Sequence, residues 1–283
     1  MKIGIGLPNQ VHDVRPDIIP AWATRAEQAG FSVVGTIGRI AYPGVMDTVA
    51  LAAAAGATNS IGLITNLLVS PVWPATLLAK ELASIDGVSG GRLTVGIGLG
   101  ARPDDFVVDG LGPTGLGKRL DRDLETYRSV WTGQPVGGGD NPAVPAGTRE
   151  VPMVFGGGAP ASFARMAKWG QGYIGGAQPP SAIAGSFEQA RSAWRDAGRS
   201  GEPRLLVINY FALADADKGR ANVHTYYSAL GQYADMAAAG LNGTAEALRA
   251  TVSGFADIGA DEVIFNPATD DIEEVERLAD IVL

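Results

Sequence analysis

One feature constrains this chain more than any other: short apolar runs alternate with amphipathic stretches from one end to the other. Ile3–Leu7 is an apolar run closed by Pro8 and Asn9, the pattern of a buried strand. Ile18–Ala29 follows with Ile19, Trp22, Ala23 and Ala26 at helical spacing, and stops at Gly30, a natural C-cap. The same alternation predicts strands at Phe31–Thr36, Ile61–Thr65, Arg92–Ile97, Val151–Phe155, Gly172–Ile174, Arg204–Leu213 and Glu262–Phe265. Helices are predicted at Asp47–Ala57, Ala75–Leu82, Arg119–Trp131, Ala161–Trp169 and Phe187–Ala197. Two helical segments, around 218–238 and 244–258, precede the eighth strand, and Ile272–Val282 is the last helix. Eight strand-then-helix units fit an α/β fold of the closed (β/α)8 TIM-barrel type better than an open sheet, and 283 residues is an ordinary length for one. Gly133–Arg149 is rich in Gly and Pro, but a strand follows at once, so it reads as an excursion at a loop end of the barrel. The expectation is a single domain over residues 1–283 with loop excursions at the C-terminal face.

Composition narrows the chemistry. Apolar residues make up 46% and charged residues 18%, enough to bury a large core. A net charge of −8 supplies no basic stripe for nucleic-acid phosphates. There is no cysteine, which excludes disulfides, thiolate metal sites and cysteine nucleophiles. Two histidines, His12 and His224, are too few for a histidine-rich metal centre, so no metal is expected. Met1–Gly6 runs straight into a strand pattern without a signal-type apolar core, and no apolar run approaches a membrane span. A soluble, cytoplasmic protein is expected.

The run from Leu78 to Gly98 (LAKELASIDGVSGGRLTVGIG) resembles, nearly end to end, a segment of the bacterial luciferase-like flavin-dependent oxidoreductases. Ala26–Phe31 (AEQAGF), Val151–Gly157 (VPMVFGG) and Gly259–Val263 (GADEV) resemble further pieces of that family, in the same order. The resemblance spans almost the whole chain. It implies the barrel fold and a phosphate-bearing cofactor, either reduced FMN or the deazaflavin coenzyme F-420. It also implies a homodimer packed through helices beside the second and third strands, where the Ala-rich helix Thr48–Ala57 suits close approach.

Gly156, Gly157 and Gly158 fall between a predicted strand and helix. Glycines let backbone N–H groups approach an anion, and the helix adds its positive N-terminal end; the same triplet also suits a flexible turn. Ser162 either donates a hydroxyl there or caps the helix. The resemblance implies that the cofactor phosphate sits at this turn. Gly98 and Gly100 belong to GIGLG, which lacks the full dinucleotide fingerprint; these small residues either give a flat ring room near the backbone or serve packing. Relatives carry a non-prolyl cis peptide after the third strand, which by alignment is Asn66–Leu67, and Asn66 is a candidate to hydrogen-bond the pyrimidine edge of the cofactor. Arg102 and Arg119 are the cationic candidates for the phosphate, since a guanidinium presents a planar fork of donors. Asn9, Tyr42, Trp73 and Phe106 follow strands on the same face and are candidates to line a substrate pocket.

One departure matters. Relatives often carry an acidic residue and a histidine after the second strand, whereas Gly35–Ile40 here holds neither. His-assisted proton handling is therefore not expected, and no residue is singled out as catalytic. The favoured expectation is a monooxygenase using reduced FMN and oxygen on a small organic molecule, with a separate flavin reductase as its supplier. Deazaflavin relatives often use the missing histidine as an acid, which tilts the choice away from F-420-dependent hydride transfer. A catalytically inactive barrel partner or binding protein is the reading from a different class. A phosphosugar-type barrel enzyme would need a Lys or Glu at a strand end; the strand ends offer Asn9, Thr36, Asn66, Gly98, Gly156 and Asn266.

Overall fold

The computed structural model describes residues 1–283. Eight parallel strands close into a barrel in sequence order: β1 (Lys2–Gly6), β2 (Val33–Thr36), β3 (Gly62–Val69), β4 (Leu93–Gly98), β5 (Met153–Phe155), β6 (Gly172–Gly175), β7 (Arg204–Phe211) and β8 (Glu262–Pro267). β1 pairs with β8 from Lys2↔Glu262 to Ile5↔Phe265, which completes the ring. The helices between them are α1 (Ile19–Ala29), α2 (Asp47–Ala57), α3 (Ala75–Val88), α4 (Leu116–Trp131), α5 (Pro160–Trp169) and α6 (Pro180–Asp196). After β7 come α7 (Ala216–Tyr227), α8 (Gln232–Ala239) and α9 (Ala245–Asp257), and after β8 comes α10 (Glu274–Val282). No helix is long and apolar enough to cross a membrane.

Strand alternation sorts the core into two layers. Ile64, Val154, Ile174, Leu206 and Ile264 fill the barrel interior. Their neighbours Leu63, Val95, Phe155, Tyr173, Leu205, Val207 and Val263 point outward and pack against the helices. Several boundaries differ from the sequence expectation. α3 runs on to Val88, because Ala83 and Ile85 keep its buried face going; it stops where Gly90 and Gly91 adopt φ of 72° and 85°. α6 starts at Pro180, using a first-turn position where a missing N–H costs nothing. The helical segment around 218–238 divides into α7 and α8 at Ser228–Gly231, where Gly231 has φ 55° and ψ −127°.

β3 continues to Val69, with a register shift against β4 between Thr65 and Leu68; the Asn66–Leu67 peptide in that gap is cis. Residues 133–149 join α4 to β5 and so lie at the strands' N-terminal ends. The excursions over the C-terminal ends are the stretches 37–46 and 99–115, together with α7 and α8. Arg92 stays at the opposite end, donating to the carbonyls of Ala55, Thr58, Ile61 and Ser89.

Candidate functional site

A cavity of about 440 Å³ opens at the C-terminal ends of the strands, where barrel sites are built. Its floor is β3 at Asn66 and Leu67. Its walls are Gly98 at the end of β4 and Gly100 after it, Gly157 and Gly158 after β5, Ile174–Gly176 at β6 and Ile208 on β7. Arg39, Arg102 and Asp105 stand at one rim, and Tyr226, Tyr227, Leu230 and Tyr233 of the α7–α8 segment close the β7 side.

Glycines shape the floor. A Cβ on Gly156 would stand 2.4 Å from Leu67 Cδ1, and one on Gly98 would stand 3.2 Å from the same atom. The space they clear is taken by the Leu67 side chain, so their smallness seats that leucine under the cavity. Gly100 has φ 76°, and a Cβ there would press Val69 Cγ1 at 2.5 Å. Gly6 and Gly35 make room for Asn266 and Asn66, whose side chains meet across the barrel at 3.3 Å. Asn66 Oδ1 and Asn266 Nδ2 are buried with no partner, as is Thr36 Oγ1.

The turn after β5 leaves backbone N–H groups uncommitted. The N–H of Gly156 is used by Ile97 O, while those of Gly157 and Gly158 have no acceptor in the chain. α5 begins directly behind them with Pro160 in its first turn and no side-chain cap. Ser162 is buried in that first turn, its hydroxyl against Gly157.

The two cationic candidates separate. Arg102 lines the cavity, but its guanidinium is held by Asp104 at 2.7 Å and by the Tyr226 carbonyl at 3.2 Å. Arg119 does not line it; it ties the carbonyls of Pro71 and Gly112 together at 3.1 and 3.0 Å. Asn9 is spent as a clasp, donating to Ile37 O and Val45 O and accepting from Ile37 N. Tyr42 lies behind the wall, edge-on to Tyr226 at 5.0 Å. Trp73 faces a small adjoining crevice with Asp47 and Val72, and Phe106 is half-buried outside both spaces.

Sequence reasoning missed three groups. Arg39 is buried, with Nε donating to both Asp105 oxygens at 3.0 and 3.2 Å and Nη1 donating to Tyr226 O at 3.2 Å. Asp105 also accepts from the N–H groups of Ile40 and Ala41 at 3.0 Å each. Asp47 is fully buried beneath Gly38; burial pushes its carboxyl up to about 6, with the Thr48 N–H opposing and Glu81 adding to the rise. The third group is the tyrosine wall. Burial keeps the phenols of Tyr226 and Tyr227 protonated at any ordinary pH. Its signal was the spacing of Tyr226, Tyr227 and Tyr233, which puts aromatics on one side of a helical segment.

A model of the luciferase-like monooxygenase family matches residues 1–262. An uncharacterized protein of Mycobacterium tuberculosis is 28% identical over 220 residues, covering 66% of this chain and 75% of the relative. Among solved structures, an F-420-dependent secondary alcohol dehydrogenase in complex with an F-420–acetone adduct superposes with a TM-score of 0.80 at 17% identity, over 100% of this chain and 98% of the other. A monooxygenase from Streptomyces bottropensis superposes with a TM-score of 0.79 at 22% identity, over 99% and 97%. At those identities the likeness is one of fold.

Proposed function

This chain belongs to the luciferase-like monooxygenase family, and on that premise we propose that it is a flavin-dependent monooxygenase acting on a small organic substrate with reduced FMN and oxygen. The observation that carries the reading is the pairing, in one cavity, of an anion site at Gly157–Gly158 with a floor that offers an unpartnered buried amide oxygen on Asn66. These residues fit a flat, phosphate-bearing ring system. Reduced FMN supplies the two electrons that split oxygen, so that RH + O2 + FMNH2 gives ROH + H2O + FMN.

The chain's own residues bind, orient and exclude water. The N–H groups of Gly157 and Gly158 and the N-terminal end of α5 hold the phosphate. Asn66, at the cavity floor, would be the polar group beneath the bound ring. The tyrosine wall and Leu230 keep bulk water from the β7 side. No ionised side chain at the cavity is free, since Arg39, Arg102, Asp104 and Asp105 satisfy one another. Such a site leaves redox chemistry to its cofactor. A separate reductase supplies reduced FMN, and the enzyme is a homodimer, for which exposed Val49 on α2 and Leu77 on α3 supply apolar contact.

Anaerobic titration of the purified protein with reduced FMN and with F-420, followed by fluorescence, tests the reading. Saturable FMN binding, and oxygen uptake once a reductase and substrate are added, are expected. Saturation by F-420 in place of FMN would replace oxygenation with hydride transfer. Binding of neither would leave a barrel without this chemistry.

A further inference from the structure

The α7–α8 segment presents Tyr226, Tyr227 and Tyr233 to the cavity, with successive rings packed edge to face at 4.9 and 5.0 Å. Tyr210 on β7 holds the Tyr227 hydroxyl at 2.8 Å from behind. Tyr226 is 5% exposed, and its hydroxyl has no hydrogen-bond partner in the chain. The ionised groups at the rim neutralise each other: freeing Arg39 would strand the buried Asp105, and Arg102 is held by the half-exposed Asp104 and by the Tyr226 carbonyl. The wall therefore offers aromatic surface and a neutral hydroxyl donor, but no counter-charge for an anion or a cation.

We propose that this wall selects a neutral, planar aromatic substrate bearing an oxygen acceptor, and that Tyr226 is the specificity-determining residue that donates to that oxygen. The proposal deepens the monooxygenase reading by naming the class of molecule oxidised, and rests on it for the chemistry. Edge-to-face packing extends naturally to a fourth ring, and such pairs add about 0.5–1.5 kcal/mol beyond burial, which is roughly two- to twelvefold in affinity per ring. An anion would lose its hydration without gaining a free counter-charge, and a cation would meet the Arg39 guanidinium already seated over the Tyr226 ring at 5.5 Å.

Three probes of one shape separate the outcomes: naphthalene-2-carboxamide, 2-naphthoate and 2-naphthylmethylammonium, titrated calorimetrically with and without saturating FMN. The neutral amide is expected to bind at least about tenfold more tightly than either ion. In Tyr226→Phe its affinity is expected to fall about three- to tenfold, the worth of one neutral hydrogen bond, while acceptor-free 2-methylnaphthalene binds as before. Equal or tighter binding of an ion, or an amide affinity unmoved by Tyr226→Phe, overturns the proposal. So does competition between amide and FMN, because the tyrosine wall would then not be a separate subsite. A protein that keeps amide selectivity but binds no FMN sinks the cofactor reading and leaves the wall as a ligand site.

Discussion

Gly157 and Gly158 look alike in the sequence but answer to different constraints. Gly157 has φ 108°, and a Cβ there would stand 2.8 Å from Ser162 Oγ, so any side chain strains the turn. At Gly158 a Cβ meets nothing within 4 Å, and the backbone is not in the left-handed region. Gly158→Asp should therefore leave the fold intact while setting a carboxylate beside the free N–H groups. FMN affinity is expected to drop by more than about tenfold, or roughly 1.4 kcal/mol, as the phosphate meets a like charge. Riboflavin, which lacks the phosphate, serves as the control and should bind equally well to both proteins. Equal losses for the two ligands would mean that the turn does not hold the phosphate. Gly156 is constrained by packing instead: Gly156→Ala drives a methyl into Leu67, and overpacking of this kind costs about 1–3 kcal/mol in thermal or denaturant unfolding.

At the scale of elements, three separate pieces of chain are fastened at one point. Arg39 after β2 and Arg102 after β4 both donate to the Tyr226 carbonyl, in the last turn of α7, where carbonyls lack intrahelical partners. Asp105 → Ala would leave Arg39 buried and the Ile40 and Ala41 N–H groups without an acceptor, at a cost of about 3–5 kcal/mol. Amide exchange should quicken first at residues 226–239, ahead of β7. The double variant Arg39→Met with Asp105→Leu should recover part of the lost stability. Unchanged exchange in α7 and α8 in both proteins would show that the arginines do not hold that segment. None of this clasp was legible beforehand, because Arg39 and Asp105 lie 66 positions apart and pattern reasoning sees only near neighbours. The tyrosine wall was half legible: Tyr226 and Tyr233 stand seven residues apart, a helical spacing, but Gly231 divides their run into α7 and α8. The strands, by contrast, were legible because each apolar run is short and ends in a turn residue, and barrel closure follows from eight repeats. The place of the Gly156–Gly158 turn, between β5 and α5, was legible because a strand–turn–helix junction is local in sequence.

Two buried or hydrogen-bonded carboxylates act on the stability of the whole molecule in opposite directions as pH changes. Glu27 Oε1 accepts from the N–H groups of Asn59, Ser60 and Ile61, joining α1 to the start of β3. Burial alone would raise its carboxyl, but those donors outweigh it and hold the pKa at about 2. A depressed folded value means that its contribution is complete above the unfolded value of about 4.3 and is lost as pH falls towards 2. Asp104, Asp121 and Asp271, lowered chiefly by hydrogen bonds from Arg102, Arg165 and Arg277, act in the same sense. Asp47 does the reverse. Its folded value of about 6 exceeds the unfolded value of about 3.9, so the fold loses stability as pH rises between the two and stays penalised above. That difference corresponds to about 2–3 kcal/mol at neutral pH. The net charge of −8 at pH 7 adds self-repulsion on the same side. Stability is therefore expected to peak between about pH 4 and 5, lower than the usual range of pH 5 to 8. Calorimetric melting from pH 2 to 8 reads it directly: Asp47→Asn should raise the melting temperature at pH 7 but hardly at pH 4. Glu27→Gln should flatten the acid limb between about pH 4 and 2. A wild-type melting temperature that climbs steadily from pH 4 to 7, matched by Asp47→Asn at every pH, would mean that the buried carboxylate exacts no penalty and that the fold pairs it.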